Sequence, residues 1–331
     1  MKNKERIQAK ALKEGTLLEK EFTSYQEMAE HAPEWSLSCN YLLRQNGMDG
    51  RHKILELPNI QLSRSDLAGG FMFSFEAPKA RTCLSLVEHV EEKACFERVK
   101  LSKGQVIFFD DRRSYNFMSS GAISVIDVAL KNSSKNPLLS HLSALQERYC
   151  EDSTKELSRV LNAVLSRYSE SVDEESALVI EGEITKVILE LIRSQEAKQC
   201  RLTKGEQAAI AIRDQVFGHM DRVVSTEMLA QQYQVTPTTL QNAFKSLFGH
   251  TPQHLLRLLK LNHAHHELYE STEEETTVIR VAQKWGFRHM GRFTAYYRLL
   301  FEQKPSETLR ENDHEDDGLR TGCVERTEEM R

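Results

Sequence analysis

A chain of 331 residues exceeds one typical domain of about 100–200 residues, so two domains and a connector are expected. Hydrophobic residues make up 40% and charged residues 28%, a globular balance that excludes extended disorder outside the ends. No apolar run reaches the roughly 18–20 residues that span a bilayer, so no membrane partner is expected.

The chain opens on charged residues (Lys2, Lys4, Glu5, Arg6) with no apolar segment behind them, so the expectation is no secretory signal and a cytoplasmic location. The six cysteines (Cys39, Cys83, Cys95, Cys150, Cys200, Cys323) form no C-x-x-C pair and read as free thiols that fill space in a core. The net charge is −5, yet residues 201–312 hold 14 Lys and Arg against 12 Asp and Glu, with seven His. Acid is therefore concentrated elsewhere, partly in a tail, residues 313–331, that is expected to be disordered.

In chain order, residues 1–37 read as polar and helical, most clearly at residues 25–29. From about Lys53 short runs alternate apolar with polar residues or are rich in β-branched and aromatic ones, at residues 54–58, 60–64, 71–75, 83–87, 105–109 and 123–128. Gly69-Gly70, Pro78, Lys103-Gly104 and Asp110-Asp111 divide them. Strands at this spacing, with no long helices between, predict a small antiparallel barrel or sandwich, read as a β-barrel-like (cupin-like) domain over residues 1–136. The interior of such a barrel can hold one small ligand. If Phe71, Phe73, Phe75 and Phe108 filled it, no room would remain.

An enzymatic role finds little support. The barrel region offers only His52 and His89, far apart and without an H-x-H pattern, and there is no G-x-S-x-G, P-loop or dinucleotide fingerprint. No cofactor and no metal is expected.

Residues 137–200 change to a helical period. Leu138, Leu139, Leu142 and Leu145 make one stripe, Leu157, Val160, Leu161, Val164, Leu165 and Tyr168 a second, and Ile180, Ile184, Val187, Ile188, Leu191 and Ile192 a third. Each must be covered either by the chain's own core or by a second subunit in a homodimer.

Residues 201–312 read as all-α. Ser225 is a good N-cap for a short helix whose Leu229-Ala230 faces inward, and that helix ends by Gln234-Val235. Thr236 caps the next, with Pro237 at its first position, where a missing N–H costs nothing. Leu240, Phe244 and Leu247 share its inner face, leaving Thr238, Gln241, Asn242 and Lys245 outside, and Gly249 ends it. Asn and Gln can pair with adenine in the major groove, and Lys can reach phosphate or guanine. The arrangement recurs. Residues 278–287 form a short helix that ends at a Gly, followed by residues 289–301 with Phe293, Tyr297 and Leu300 inside, and Ala282 takes the slot of Ala230. One long helix, residues 252–269, would join the two units. It carries His263, His265 and His266, read as a solvated or phosphate-facing surface, with a metal at His263 and His266 as the alternative.

These residues resemble the DNA-binding domain of the AraC/XylS family. The resemblance rests on Leu229-Ala230, Pro237-x-x-Leu240-Gln241-x-x-Phe244, Pro252-x-x-x-Leu256, Val281-Ala282-x-x-x-Gly286-Phe287, Arg292-Phe293-x-x-x-Tyr297-Arg298-x-x-Phe301 and Pro305-Ser306. It covers about a third of the chain, residues 205–310. The run from Gly286 to Phe293, with Pro305-Ser306-Glu307-Thr308-Leu309, is most similar to the ethanolamine-operon branch. The resemblance implies a transcription activator with double-stranded promoter DNA and RNA polymerase as partners, and a small-molecule effector sensed by the β-rich domain. Control by a protein partner or by abundance is the alternative. It also implies base reading by Thr238, Gln241 and Asn242 in the first unit and by Met290, Gly291 and Arg292 in the second, with Lys245 and Arg298 on phosphates. Gln234 departs from the family, which usually has a turn Gly there; a positive φ at a Gln costs on the order of 1 kcal/mol. Asn242 and Ala295 stand where Arg or Lys is common.

Overall fold

A computed structural model describes residues 12–32, 34–45, 47–132, 148–150, 154–168, 171–194, 198–199, 202–218 and 226–311. The expected tail, the stripe at Leu138–Leu145 and the Ser225 cap lie outside them. The described residues divide into two compact units. One is drawn from Met1–Leu37, Met48–Gly70 and Ser74–Thr203, the other from Ser38–Gly47, Phe71–Phe73 and Lys204–Arg331.

Strands β1 (Leu17–Phe22), β2 (Ser36–Leu42), β3 (Met48–Glu56), β4 (Ile60–Gly69), β5 (Phe71–Glu76), β6 (Arg81–Val90), β7 (Ala94–Phe96), β8 (Val99–Lys100), β9 (Val106–Asp110), β10 (Ser114–Ser119), β11 (Ile123–Lys131), β12 (Arg148–Cys150) and β13 (Lys198–Gln199) make two sheets. The strands fall mainly in the first unit, with Ser38–Leu42 of β2 and Phe71–Phe73 of β5 in the second. The larger has the order β1-β3-β4-β11-β6-β9-β12-β13, the smaller β2-β5-β10-β7-β8. All six alternating runs of the sequence fall on strands. The helical reading of residues 1–37 holds only at α1 (Tyr25–His31), which Ser24 caps by accepting from the Glu27 amide. Leu17–Phe22 is a strand instead, because its charged side chains pair across to β3: Lys53 lies 3.2 Å from Glu19 and Arg51 2.5 Å from Glu21.

Side chains alternate across a strand, so each strand of the large sheet gives one residue in two to each face. Leu55, Leu62, Val128, Leu84 and Phe108 are register neighbours on a single face. Helices α2 (Lys155–Arg167) and α3 (Glu174–Ser194) cover that face with Leu157, Leu161, Val164, Ile180, Ile184 and Ile188. Of the two coverings that these stripes allow, the one seen here is the chain's own core. Leu161 is 0% exposed within one chain, so its apolar face is already used. Phe108 belongs to this core as well. On the other side of the sheet Trp35, Phe75, Phe96, Phe109 and Tyr115 pack ring to ring, with centroids 5.3–6.2 Å apart. Phe109, not Phe108, is the aromatic of β9 that lies there. Cys83 and Cys95 are buried free thiols, as expected of core fillers.

The second unit is mainly helical, with α4 (Lys204–Gly218), α5 (Thr226–Gln232), α6 (Pro237–Phe248), α7 (Pro252–Glu270), α8 (Val278–Lys284), α9 (Met290–Phe301) and α10 (Pro305–Glu311). Gly205 lets α4 lie close on α6; a Cβ there would stand 2.8 Å from the Thr239 methyl. The segment Ser38–Gly47 belongs to this unit. Asn262 of α7 holds it as a neighbouring strand would: its side-chain oxygen accepts from the Leu42 amide and its nitrogen donates to the Leu42 carbonyl, both at 2.8 Å.

Candidate nucleic-acid interface

Two helix pairs in the second unit share one local design. In the first, α5 turns into α6 over Gln234, whose φ of 54° lies in the left-handed region, and the Val235 amide donates to the Ala230 carbonyl at 2.9 Å. In the second, α8 turns over Gly286 at φ 82°, and the Phe287 amide donates to the Ala282 carbonyl at 2.8 Å. The departure read at Gln234 therefore falls on a residue that does carry positive φ. Ala230 and Ala282, at the matching position of each pair, are 1% and 0% exposed.

Thr236 caps α6 by accepting from the Thr239 amide at 3.1 Å, Pro237 follows, and Gly249 closes the helix at φ 71°. Leu240, Ala243, Phe244, Leu247 and Phe248 are buried. Thr238, Gln241, Asn242 and Lys245 are all exposed, and their spacing of three or four residues puts them on one face. In α9 the inner residues are Phe293, Tyr297 and Leu300. Gly291, Arg292 and Arg298 are exposed, while Met290 is partly buried. A Cβ built on Gly291 meets nothing within 4 Å, so open space lies in front of it.

The long helix α7 differs from its sequence reading. His263 stacks flat on Trp285, centroids 4.6 Å apart at 12°, and lies 3.2 Å from the Tyr41 hydroxyl. His265 stacks on Phe301 at 4.2 Å and 12°, with its Nδ1 2.7 Å from the Tyr297 hydroxyl. These two are packing elements rather than a solvated face, because a neutral imidazole offers a flat apolar surface as well as a polar rim. Burial pushes both down to about 4, with His266 adding repulsion, so both are neutral at pH 7. Further along, Trp285 donates to Glu267 at 2.8 Å, Lys284 pairs with Glu267 at 2.9 Å, and Arg257 lies 4.4 Å over the Tyr296 ring. Tyr297 is fully buried and its hydroxyl also meets Thr308 at 2.8 Å. The second pair is thus fastened to α7 through aromatic and polar contacts together.

The sequence reading passed over Arg280, Lys284 and Arg288. All three are exposed in or beside α8, and with Arg292 and Arg298 they give residues 278–301 five cations and no carboxylate. The signal was present as an acid-free stretch in an acidic chain. Such a surface attracts polyanions, and an isolated cation adds little unless it meets phosphate.

Residues 229–311 match a family described as a helix-turn-helix domain. The C-terminal unit contains such a domain. Among relatives, the XylDLEGF operon transcriptional activator of Pseudomonas putida is 29% identical over 130 residues, 39% of this chain and 40% of its own length. A probable thc operon regulatory protein of Rhodococcus erythropolis is 31% identical over 97 residues, 29% of each chain. The chain thus spans about two fifths or less of the length of these relatives. A solved structure of a probable AraC family transcriptional regulator from Rhodopseudomonas palustris is 28% identical, covering 32% of this chain and 97% of its own, with a TM-score of 0.30. The helix-turn-helix domain takes in α6, α7, α8 and α9 entire, so both exposed faces described above lie inside it.

Proposed function

We propose that this protein is a DNA-binding transcription regulator, an activator of the AraC/XylS kind, with two helix-turn-helix units. The observation that carries the reading is the exposed face of α6. Thr238, Gln241, Asn242 and Lys245 stand together on a capped helix inside a helix-turn-helix domain. In this reading Thr238, Gln241 and Asn242 touch base edges in one major groove, and Met290, Gly291 and Arg292 in the next. Lys245 and Arg298 hold phosphates, joined by Arg280, Lys284 and Arg288. The 19 residues of α7 measure about 28 Å at 1.5 Å per residue, a length suited to grooves about 34 Å apart on one DNA face. RNA polymerase is the partner that activation requires.

The β-rich unit is read as a cupin-like sensor of a small-molecule effector. The run from Gly286 to Phe293 supports a place near the ethanolamine-operon branch. A homodimer is retained in the reading, but through a surface other than the Leu157–Leu165 and Ile184–Leu191 stripes, which the chain's own sheet covers. The test is retention of promoter fragments by the full-length chain across a salt series. The expected result is sequence-selective binding that weakens steeply as salt rises. Full-length protein that stays folded and prefers no fragment over random DNA at any salt would sink the reading.

A further inference from the structure

The proposed DNA contacts leave one charged stretch unused, the acid that follows α10. Among residues 313–317 four are carboxylates: Asp313, Glu315, Asp316 and Asp317. They lie outside the described residues, but the helix they start from and the surface beside it are described. Helix α10 packs on α7, α8 and α9. Its Thr308 hydroxyl meets Tyr297 of α9 at 2.8 Å, Leu309 is buried, and Arg310 pairs at 3.0 Å with Glu273, in the turn just before α8. At about 3.3–3.6 Å per residue the carboxylates can reach about 7–21 Å from Glu311. Helix α8 is seven residues, about 10 Å, long.

The neighbouring surface is cationic. Lys284 is already paired with Glu267 at 2.9 Å, and Arg298 has Glu307 of α10 as a charged neighbour. Arg280, Arg288 and Arg292 are exposed, and no carboxylate pairs with them among the described residues. Glu274 and Glu275 of the turn are exposed as well and repel the acid run, which turns it towards the arginines. The first helix pair offers it a single cation, Lys245. A short tether holds the run at a millimolar effective concentration, at which several exposed charge pairs hold together although each alone is weak.

We propose that residues 313–317 dock on Arg280, Arg288 and Arg292 of their own chain and close the second helix pair to DNA. The run presents carboxylates to cations that would otherwise meet phosphate, so acid and DNA compete for one surface. The docking stands on charge and tether, whereas its consequence rests on the regulator reading and names a regulation of that same surface. DNA binding then requires the acid to leave. Its departure takes ions back from solution, so the salt dependence is shallower than the cations alone would give.

The test compares the full-length chain with a variant that combines Asp313→Asn, Glu315→Gln, Asp316→Asn and Asp317→Asn, both carrying nitrogen-15 arginine. Without DNA, neutralising the run should move the side-chain signals of Arg280, Arg288 and Arg292. Salt at about 1 M should move those of the unaltered chain to the same place. Arg213, 1% exposed, should stay where it is. At low salt the variant should bind promoter and random DNA roughly tenfold more tightly and with a steeper salt slope, the two proteins converging as salt rises. In an Arg280→Gln, Arg288→Gln background that gain should shrink several-fold. Unmoved arginine signals overturn the docking even where the variant binds DNA more tightly, since undocked acid repels DNA without touching the arginines. Signals that depend on protein concentration put the acid of a second copy there and overturn it too. Moved signals with equal DNA affinities overturn the competition. Unmoved signals with intact DNA binding defeat this proposal alone, and moved signals with no DNA binding by either protein defeat the regulator reading alone.

Discussion

The two helix pairs of the C-terminal unit share a backbone design and differ in almost everything on their surfaces. Between Thr226 and Gly249 the sequence holds a single cation, Lys245, and a single carboxylate, Glu227, with exposed amides and hydroxyls around them. Between Val278 and Phe301 it holds five cations and no carboxylate. On the proposed reading both pairs present base-reading residues, and the second adds the larger set of phosphate-facing cations. The turn and the inner face fix the scaffold and leave the outer face free to differ.

The interiors should be equivalent, and the largest effects test that. Phe244→Ala and Phe293→Ala, both at fully buried positions, should each cost about 3–5 kcal/mol in denaturant unfolding of the C-terminal unit. A cost at one site several-fold below the other would break the equivalence.

Acid should separate the pairs next. His263 and His265 are held near 4 in the folded chain against an ordinary 6.5. Between those values the unfolded chain binds more protons, so stability is lost as pH falls from about 6.5 towards 4. The melting temperature of the C-terminal unit should drop through that window, and the double change His263→Gln, His265→Gln should flatten the dependence. A slope that the double change leaves intact would show that other groups govern it.

On DNA, Gln241→Ala and Arg292→Ala should each cost about 1–3 kcal/mol on the preferred sequence and relax choice at one or two base pairs. Replacing Lys284, Arg288 and Arg298 together by Gln should lower the magnitude of the salt slope by about three, and Lys245→Gln by about one. Equal slopes for the triple and single changes would erase the division of labour. The turns give a smaller effect. Gln234→Gly should stabilise by about 1 kcal/mol by relieving the positive φ, while Gly286→Ala should cost a similar amount. Smallest of all, Gly291→Ala should raise stability by about 0.5–1 kcal/mol, because nothing meets the added methyl. It should also weaken DNA binding if that open space receives a base edge, which a melting scan and a retention assay read separately.

The sequence disclosed those parts in which local chemistry and tertiary packing agree. The alternating runs on β3, β4, β5, β6, β9 and β11, the Thr236-Pro237 start and the Gly249 and Gly286 stops were legible because each residue suits its local geometry without help. Leu17–Phe22 was not, because a strand with three exposed charged residues in a row, Glu19, Lys20 and Glu21, looks like a polar helix until its partner β3 is known. His263 and His265 misled for a related reason: an imidazole seen alone is polar, and only the rings of Trp285 and Phe301 reveal its flat face. The exposed residues Thr238, Gln241, Asn242 and Lys245 were placed by helical period, which also carried Gly291, Arg292 and Arg298 to the surface. Met290 falls partly inside. The clasp between Asn262 and Leu42 left no trace in the sequence, since it joins backbone atoms that any residue would supply.

That clasp has a consequence in time. Leu42 and Asn262 are 220 residues apart, and a ribosome adding about 5–20 residues per second needs about 10–45 seconds to travel that distance. During that interval the Leu42 amide and carbonyl must find other partners or stay wet. The C-terminal unit cannot close around Ser38–Gly47 until α7 has emerged. The emergence of α7 therefore completes a structure whose other piece, Ser38–Gly47, left the ribosome some 220 residues earlier.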